Sequence, residues 1–204
     1  FSSRRRHTRY ISVTGVQTCA LPIFNATRTV TLPEVHRARA SAYVITAAEG
    51  GALHLEDLKR RATDFDPVTR DRLLAGALVP AAWVQQAQRF RAWFREEARK
   101  VFRDADILLA PSTPFPAVPL GTDTAVIDGK TLPLRPNVGL LTQPISFIGL
   151  PVAAVPVWPG KLPLGVQVIA APWREADALR VAAFLEREGI CRAPVASLQE
   201  ETAS

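Results

Sequence analysis

The 204-residue sequence predicts an α/β fold. Three observations carry that expectation. Between positions 35 and 101 apolar residues recur every three or four places, the period of helices that bury one stripe. Past Asp104 the pattern changes to short unbroken apolar runs rich in branched side chains, which suit buried strands. Helical spacing then returns once, over 176–188. Helices, then strands, then a closing helix fit one layered domain. No internal repeat, low-complexity stretch or linker divides it.

Each element has its own signal. Val35, Ala38, Ala42, Ile45 and Ala48 lie on one helical face, and Gly50-Gly51 is the expected stop. Asp66-Pro67 opens a second helix, because Asp can cap and Pro suits the first turn. Leu73, Leu74, Ala77 and Leu78 are its expected inward residues. Pro80 opens or kinks a longer helix with the stripe Trp83, Ala87, Phe90, Phe94, Ala98 and Val101. Gln85, Arg89, Arg91, Arg95, Glu96 and Arg99 fall off that stripe and should face water.

Ile107 to Ala110 reads as a buried strand that ends in a proline-rich loop. Asp128-Gly129, between Ala125-Val126-Ile127 and Thr131-Leu132, signals a hairpin. Val152 to Val157 and Val166 to Ala170 are two further strands. The closing helix should turn Ala178, Leu179, Ala182 and Leu185 inward and end at Gly189. The tail, 194–204, is polar and expected to be loose.

Residues 1–23, FSSRRRHTRYISVTGVQTCALPI, stand apart. They resemble a translated sequencing-library adapter. VTGVQTCALPI corresponds to one reading frame of an indexed adapter primer and SRRRHTR to its flanking arm. Tyr10, Ile11 and Ser12 fall where the variable index sits. The native sequence is therefore expected to begin near Phe24, inside a gene, with 24–193 the C-terminal part of a longer domain.

Setting that segment aside changes the charge. The full chain has 25 basic and 19 acidic residues, a formal net charge of +6. Removing Arg4, Arg5, Arg6 and Arg9 leaves 21 basic residues against 19, or +2. The rest interleave with acids, so no electrostatic footprint for nucleic acid remains. Cys191 is then the only cysteine, which points to a reducing, cytoplasmic setting. No apolar run is long enough to span a membrane.

Three segments carry a family resemblance. They are ILLAPSTPFPAVPLG (107–121), LLTQPISFIGLPVAAVPV (140–157) and LPLGVQVIAAPWREADALRVAAFLE (162–186). In this order they resemble the C-terminal region of the amidase signature family. The resemblance implies the C-terminal part of that family's fold, a mixed sheet flanked by helices, here incomplete. It also implies hydrolysis of a C–N bond through a Ser acyl-enzyme. The stretches 49–91 and 142–158 resemble most the members acting on carboxylated ureas of the carboxybiuret kind. The amidase component of a tRNA-dependent amidotransferase, allophanate hydrolase and general amidases are the alternatives, and a non-enzymatic binding protein is a more distant one.

Amide and urea carbonyls are weak electrophiles, so hydrolysis needs an activated nucleophile, a proton relay and an oxyanion hole. The family supplies these with a Lys and two Ser in a Gly/Ser-rich stretch. That stretch is expected upstream of the matched region. The lysines here are Lys59, Lys100, Lys130 and Lys161. The serines after the adapter-like segment are Ser41, Ser112, Ser146, Ser197 and Ser204, none in a Gly/Ser-rich run. No catalytic residue is therefore assigned, and this chain alone is expected to be inactive.

What it can offer is pocket wall. The resemblance places Arg72 near a position that binds a substrate carboxylate or carbonyl, and a guanidinium grips a carboxylate with two parallel hydrogen bonds. The alternative is a solvated helix arginine paired with Asp71 or Asp66. The resemblance likewise turns Asn137, Thr142 and Gln143 toward the substrate; structural hydrogen bonds that hold the loop are the alternative. Gly149, Pro151 and Gly165 read as positions of backbone shape. No metal or organic cofactor is implied. Expected partners are a small amide or urea substrate, and a small accessory subunit or a second copy, with no nucleic acid and no membrane.

Overall fold

The structure is a computed structural model and describes residues 9–11 and 28–195. The remainder of the adapter-like segment and most of the predicted loose tail lie outside the described residues. Helix α1 spans Val35–Leu53, α2 Leu55–Arg61, α3 Pro67–Ala77 and α4 Ala81–Val101. Strand β1 is Arg9–Ile11, β2 Arg28–Val30, β3 Ile107–Pro111, β6 Val152–Val157 and β7 Leu164–Ala170. A separate hairpin pairs β4 (Thr124–Ile127) with β5 (Lys130–Pro133). Short helices α5 (Leu134–Asn137) and α6 (Gln143–Ser146) follow it, and α7 (Glu175–Arg187) closes the fold.

The main sheet runs β2-β1-β3-β7-β6. Its first three strands are mutually parallel, and β7 and β6 are antiparallel to their neighbours. This is a mixed sheet with helices on both faces. All five residues of β3 are buried, as its unbroken apolar run predicts. Side chains alternate across it. Leu108 and Ala110 join Ile169 of β7 in a core beneath α1 and α4. Ile107 and Leu109 join Val166, Val168 and Ala170 in a second core beneath α7.

Several local expectations hold in detail. The Asp66 carboxylate accepts from the Thr69 amide at 3.0 Å, with Pro67 in the first turn of α3. Asp128 and Gly129 both have positive φ, the backbone of a tight hairpin turn. At the end of α7, Gly189 takes φ 70 and the Ile190 amide returns to the Leu185 carbonyl at 2.9 Å.

Others are corrected. Gly50-Gly51 does not stop α1, which continues to Leu53. Both glycines sit where α1 meets α3, and Gly51 is too close to the α3 backbone for a side chain. A Cβ on Gly51 would lie 2.4 Å from the Ala77 nitrogen, and one on Gly76 only 1.9 Å from the Ala47 carbonyl oxygen. Contact between the two backbones, not helix termination, explains Gly51 and Gly76, whereas Gly50 meets only the Leu73 side-chain tip. The same tight crossing turns α3, so that Gly76 faces inward while Leu74 and Leu78 are exposed. Trp83 at the start of α4 is also exposed, as is Leu179 on α7. The core stripe of α4 is Ala87, Phe94 and Ala98, with Phe90 and Val101 packed beside it.

Asp177, absent from the expected inward face of α7, is buried in its first turn and bonded to Arg174 and Arg180. Those hydrogen bonds, Arg174 foremost, hold its carboxyl below the usual range against the opposing effect of burial. The backbone hydrogen bond from Thr69 does the same for Asp66, helped by Arg135. A carboxyl depressed in the folded state stabilises the fold above the unfolded value, about pH 4. That contribution disappears as pH falls through the folded value. Asp177→Asn is expected to melt lower at neutral pH and to lose less on acidification below about pH 4. Melting curves across that range test it, and an unchanged acid slope would count against the assignment.

Candidate functional site

The site is built where α1, α3 and the segment 134–146 converge. Tyr43 and Thr46, three apart on α1, face away from its apolar stripe. Arg72 reaches across from α3. Its Nη2 donates to Thr46 Oγ1 at 2.8 Å, and its guanidinium carbon stands 4.3 Å from the Tyr43 ring centroid. Together with Val68, Thr69, Leu73, Arg135, Pro136, Gly139, Thr142, Gln143 and Ser146 they line a cleft of about 800 Å³. A hollow of about 160 Å³ adjoins it, sharing Thr46, Gln143 and Ser146 and adding Glu49 and Arg91.

Arg72 does not take either carboxylate considered for it. Arg70 pairs with Asp71 at 3.0 Å, and Arg135 pairs with Asp66 at 3.5 Å. Arg72 is held instead by a hydroxyl and an aromatic face, which orient a guanidinium without neutralising it. No carboxylate is among the lining residues of the larger cleft. Its charged groups are the guanidinium ions of Arg72 and Arg135; with Arg135 paired to Asp66, Arg72 is the cation that can receive a small anion.

Thr142 and Gln143 line this cleft, half-buried at the start of α6. The Gln143 amide nitrogen of the backbone bonds the Gly139 carbonyl at 2.9 Å. Its side-chain amide has no hydrogen-bond partner among the described residues and remains available in the wall. Asn137 differs. Its Nδ2 donates to the Pro133 carbonyl at 2.8 Å and its Oδ1 accepts from Arg39 at 3.2 Å. It braces α5 behind the cleft and is not among the lining residues.

The expected bystanders are placed too. Ser146 closes the single turn of α6, its hydroxyl donating to the Gln143 carbonyl at 3.2 Å. The Ser112 backbone amide bonds the Gly165 carbonyl at 2.8 Å, while its buried hydroxyl has no partner among the described residues. A Cβ on Gly165 would come within 2.8 Å of Ser112, so this glycine permits close approach of β7 to the end of β3. Gly149 has φ 68, a backbone-shape role as read. Lys59 and Lys100 form surface pairs with Glu56 and Glu97, and no lysine lines the cleft. Cys191 is buried, and that burial pushes its thiol up, away from the reactive form. Among the described residues no cluster of His, Cys, Asp or Glu could hold a metal ion, and no helix is long and apolar enough to cross a membrane.

Residues 25–179 match the amidase family. The chain belongs to the amidase family. It is 48% identical over 181 residues to AtzE, the 1-carboxybiuret hydrolase subunit of Pseudomonas sp. (strain ADP), an alignment that takes in 87% of this chain and 39% of that protein. It is 30% identical over 202 residues to a glutamyl-tRNA(Gln) amidotransferase subunit of Thermus thermophilus, covering 85% of this chain and 41% of that one. A solved structure superposes with a TM-score of 0.86 at 41% identity, covering 94% of this chain and 45% of its own. It is described as an unexpected vestigial protein complex that reveals the evolutionary origins of an s-triazine catabolic enzyme, with inhibitor bound. The chain thus spans about two fifths of the length of the curated relatives it matches.

Family membership was legible in the sequence; most of the cleft was not. Tyr43 and Thr46 look like any residues on the polar side of a helix. Arg135 lies just past the expected hairpin and carries no signal of its own. Arg91, expected in water, is half-buried and donates to the Phe147 carbonyl at 2.6 Å. Its position one residue from Phe90, at the edge of the apolar stripe, was the one available hint.

Proposed function

We propose that this chain is the substrate-wall portion of an amidase that hydrolyses a C–N bond in a small carboxylated urea. The observation that carries the reading is Arg72: aimed into the cleft, oriented by Thr46 and Tyr43, and opposed by no carboxylate of the cleft lining. A planar carboxylate on the substrate fits that fork, with Thr142 and Gln143 beside it to hydrogen-bond urea nitrogen and oxygen. The likeness to a 1-carboxybiuret hydrolase subunit supports this substrate class over a neutral amide.

The family's Lys and Ser pair would act from the upstream part of the same polypeptide. The Ser attacks the carbonyl, the amine leaves with a proton relayed through the Lys, and water releases the acyl group. Alone, this chain has wall but no nucleophile. Residues 24–193 form the C-terminal part of the domain and 1–23 are foreign to it, so that Arg9–Ile11, paired with β2 and β3, stands where a strand of the native domain belongs; the family match beginning at residue 25 supports that division. An accessory subunit or a second copy belongs to the same proposal. Support comes from the exposed Leu78, Trp83 and Trp173, and from a relative that was solved as a complex.

The test is a hybrid enzyme: the Pseudomonas hydrolase protein with its matching region replaced by residues 28–193 of this chain. Ammonia release from 1-carboxybiuret is expected from the hybrid and not from the 204-residue chain. A hybrid that folds yet turns over only neutral amides would overturn the substrate assignment.

A further inference from the structure

Gln167 is one of the few buried polar side chains, 3% exposed, and no role in the cleft has so far been given to it. It lies on the same face of β7 as Ile169, beneath α1 and α4. Its carboxamide nitrogen has two protons, and both are used. One goes to the Pro111 carbonyl at the end of β3, 2.9 Å away. The other goes to the Leu141 carbonyl, 3.2 Å away. The sheet is thereby tied to the segment that leads into Thr142 and Gln143. Among the hydrogen bonds to that segment, most are local turns of three or four residues' separation, such as Gln143 to Gly139 and Ile145 to Thr142. They shape the segment but do not fix it relative to the sheet.

We infer that Gln167 is a positioning residue, which holds Thr142 and Gln143 at the cleft by anchoring the Leu141 carbonyl to the end of β3. The inference rests on the proposed function for its consequence in catalysis, though the anchoring stands on geometry alone. A buried carbonyl needs a donor, and Gln167 supplies one to each side of the junction. Methionine matches its length and volume without any donor, so Gln167→Met removes the tie and keeps the packing.

Two readouts separate the anchoring from the function. In the 204-residue chain, hydrogen exchange of backbone amides in 138–147 is expected to quicken about tenfold or more in Gln167→Met, with α4 and α7 unchanged. A uniform rise throughout, or no change in 138–147, would overturn the inference. In the hybrid enzyme, KM for 1-carboxybiuret should rise about tenfold while kcat stays within about threefold. A loss of kcat at constant KM would contradict a role in holding the substrate-binding wall. A hybrid with no activity even before this substitution would sink the proposed function and leave the exchange result standing. Should Gln167→Met fail to fold, the unmodified chain still decides. The Gln167 carboxamide protons should exchange far more slowly than those of exposed Gln85, and equal rates would refute the anchoring.

Discussion

Gly76→Ala is expected to damage the fold more than any other single added methyl group. In an ordinary helix the change would help, because glycine costs about 0.5–1 kcal/mol relative to alanine. Here the new Cβ would sit 1.9 Å from the Ala47 carbonyl oxygen and 2.3 Å from its carbon, both backbone atoms of α1. Neither can swing aside as a side-chain tip could, so the two helices must part. Overpacking costs typically about 1–3 kcal/mol and occasionally more, and a clash with rigid backbone belongs at or beyond the top of that range. For a domain of this size that corresponds to a melting point lower by roughly 6–12 °C. Gly51→Ala should behave similarly, since its Cβ would meet the Ala77 nitrogen and the Leu73 carbonyl. Gly160→Ala, with nothing within 4 Å, is the control. Melting of all three by circular dichroism is decisive. A Gly76→Ala protein within about 2 °C of the parent would mean that α1 and α3 do not cross as described. The consequence reaches the cleft, because this crossing sets where Arg72 stands relative to Tyr43 and Thr46.

Arg72→Ala should be the most costly change in the cleft wall. A hydrogen bond to a charged group contributes about 1.5–3 kcal/mol, so kcat/KM of the hybrid for 1-carboxybiuret should fall about 10- to 150-fold. Arg72→Lys keeps the charge but loses the planar fork and the stacking on Tyr43, so it should recover only part of the loss. A neutral amide makes no use of the fork, and its turnover should change by less than about threefold. Equal losses on charged and neutral substrates would assign Arg72 to the scaffold. Melting curves should barely move, because Arg72 makes no ion pair among the described residues and its hydrogen bond to Thr46 is at the surface.

The sequence was most informative where one residue acts through its own backbone. Asp66 with Pro67, Asp128 with Gly129, and Gly189 each decide a local conformation from within a few positions, and each appears as read. The unbroken apolar run of β3 told of burial on both faces for the same reason. Misreadings arose where a second element intervenes. Gly50-Gly51 has the composition of a helix stop, and only α3 lying against it reveals another purpose. Leu74 and Leu78 fit an apolar stripe, yet the crossing at Gly76 turns that stripe outward. The cleft follows the same logic. Thr142 and Gln143, singled out because a family motif contains them, line the cleft, whereas Asn137 from the same stretch braces α5. Tyr43, Thr46 and Arg135 come from segments far apart in sequence, and no local pattern could unite them.

The central proposal is that this chain carries the wall of an amidase whose nucleophile lies upstream of it. The most direct measurement is the sequence of the source DNA upstream of the codon for Phe24, read without the suspect adapter. The expected result is an open reading frame continuing upstream, with a lysine and a Gly/Ser-rich stretch holding two serines. A frame that instead encodes residues 1–23 as written, with no such stretch before them, would contradict it.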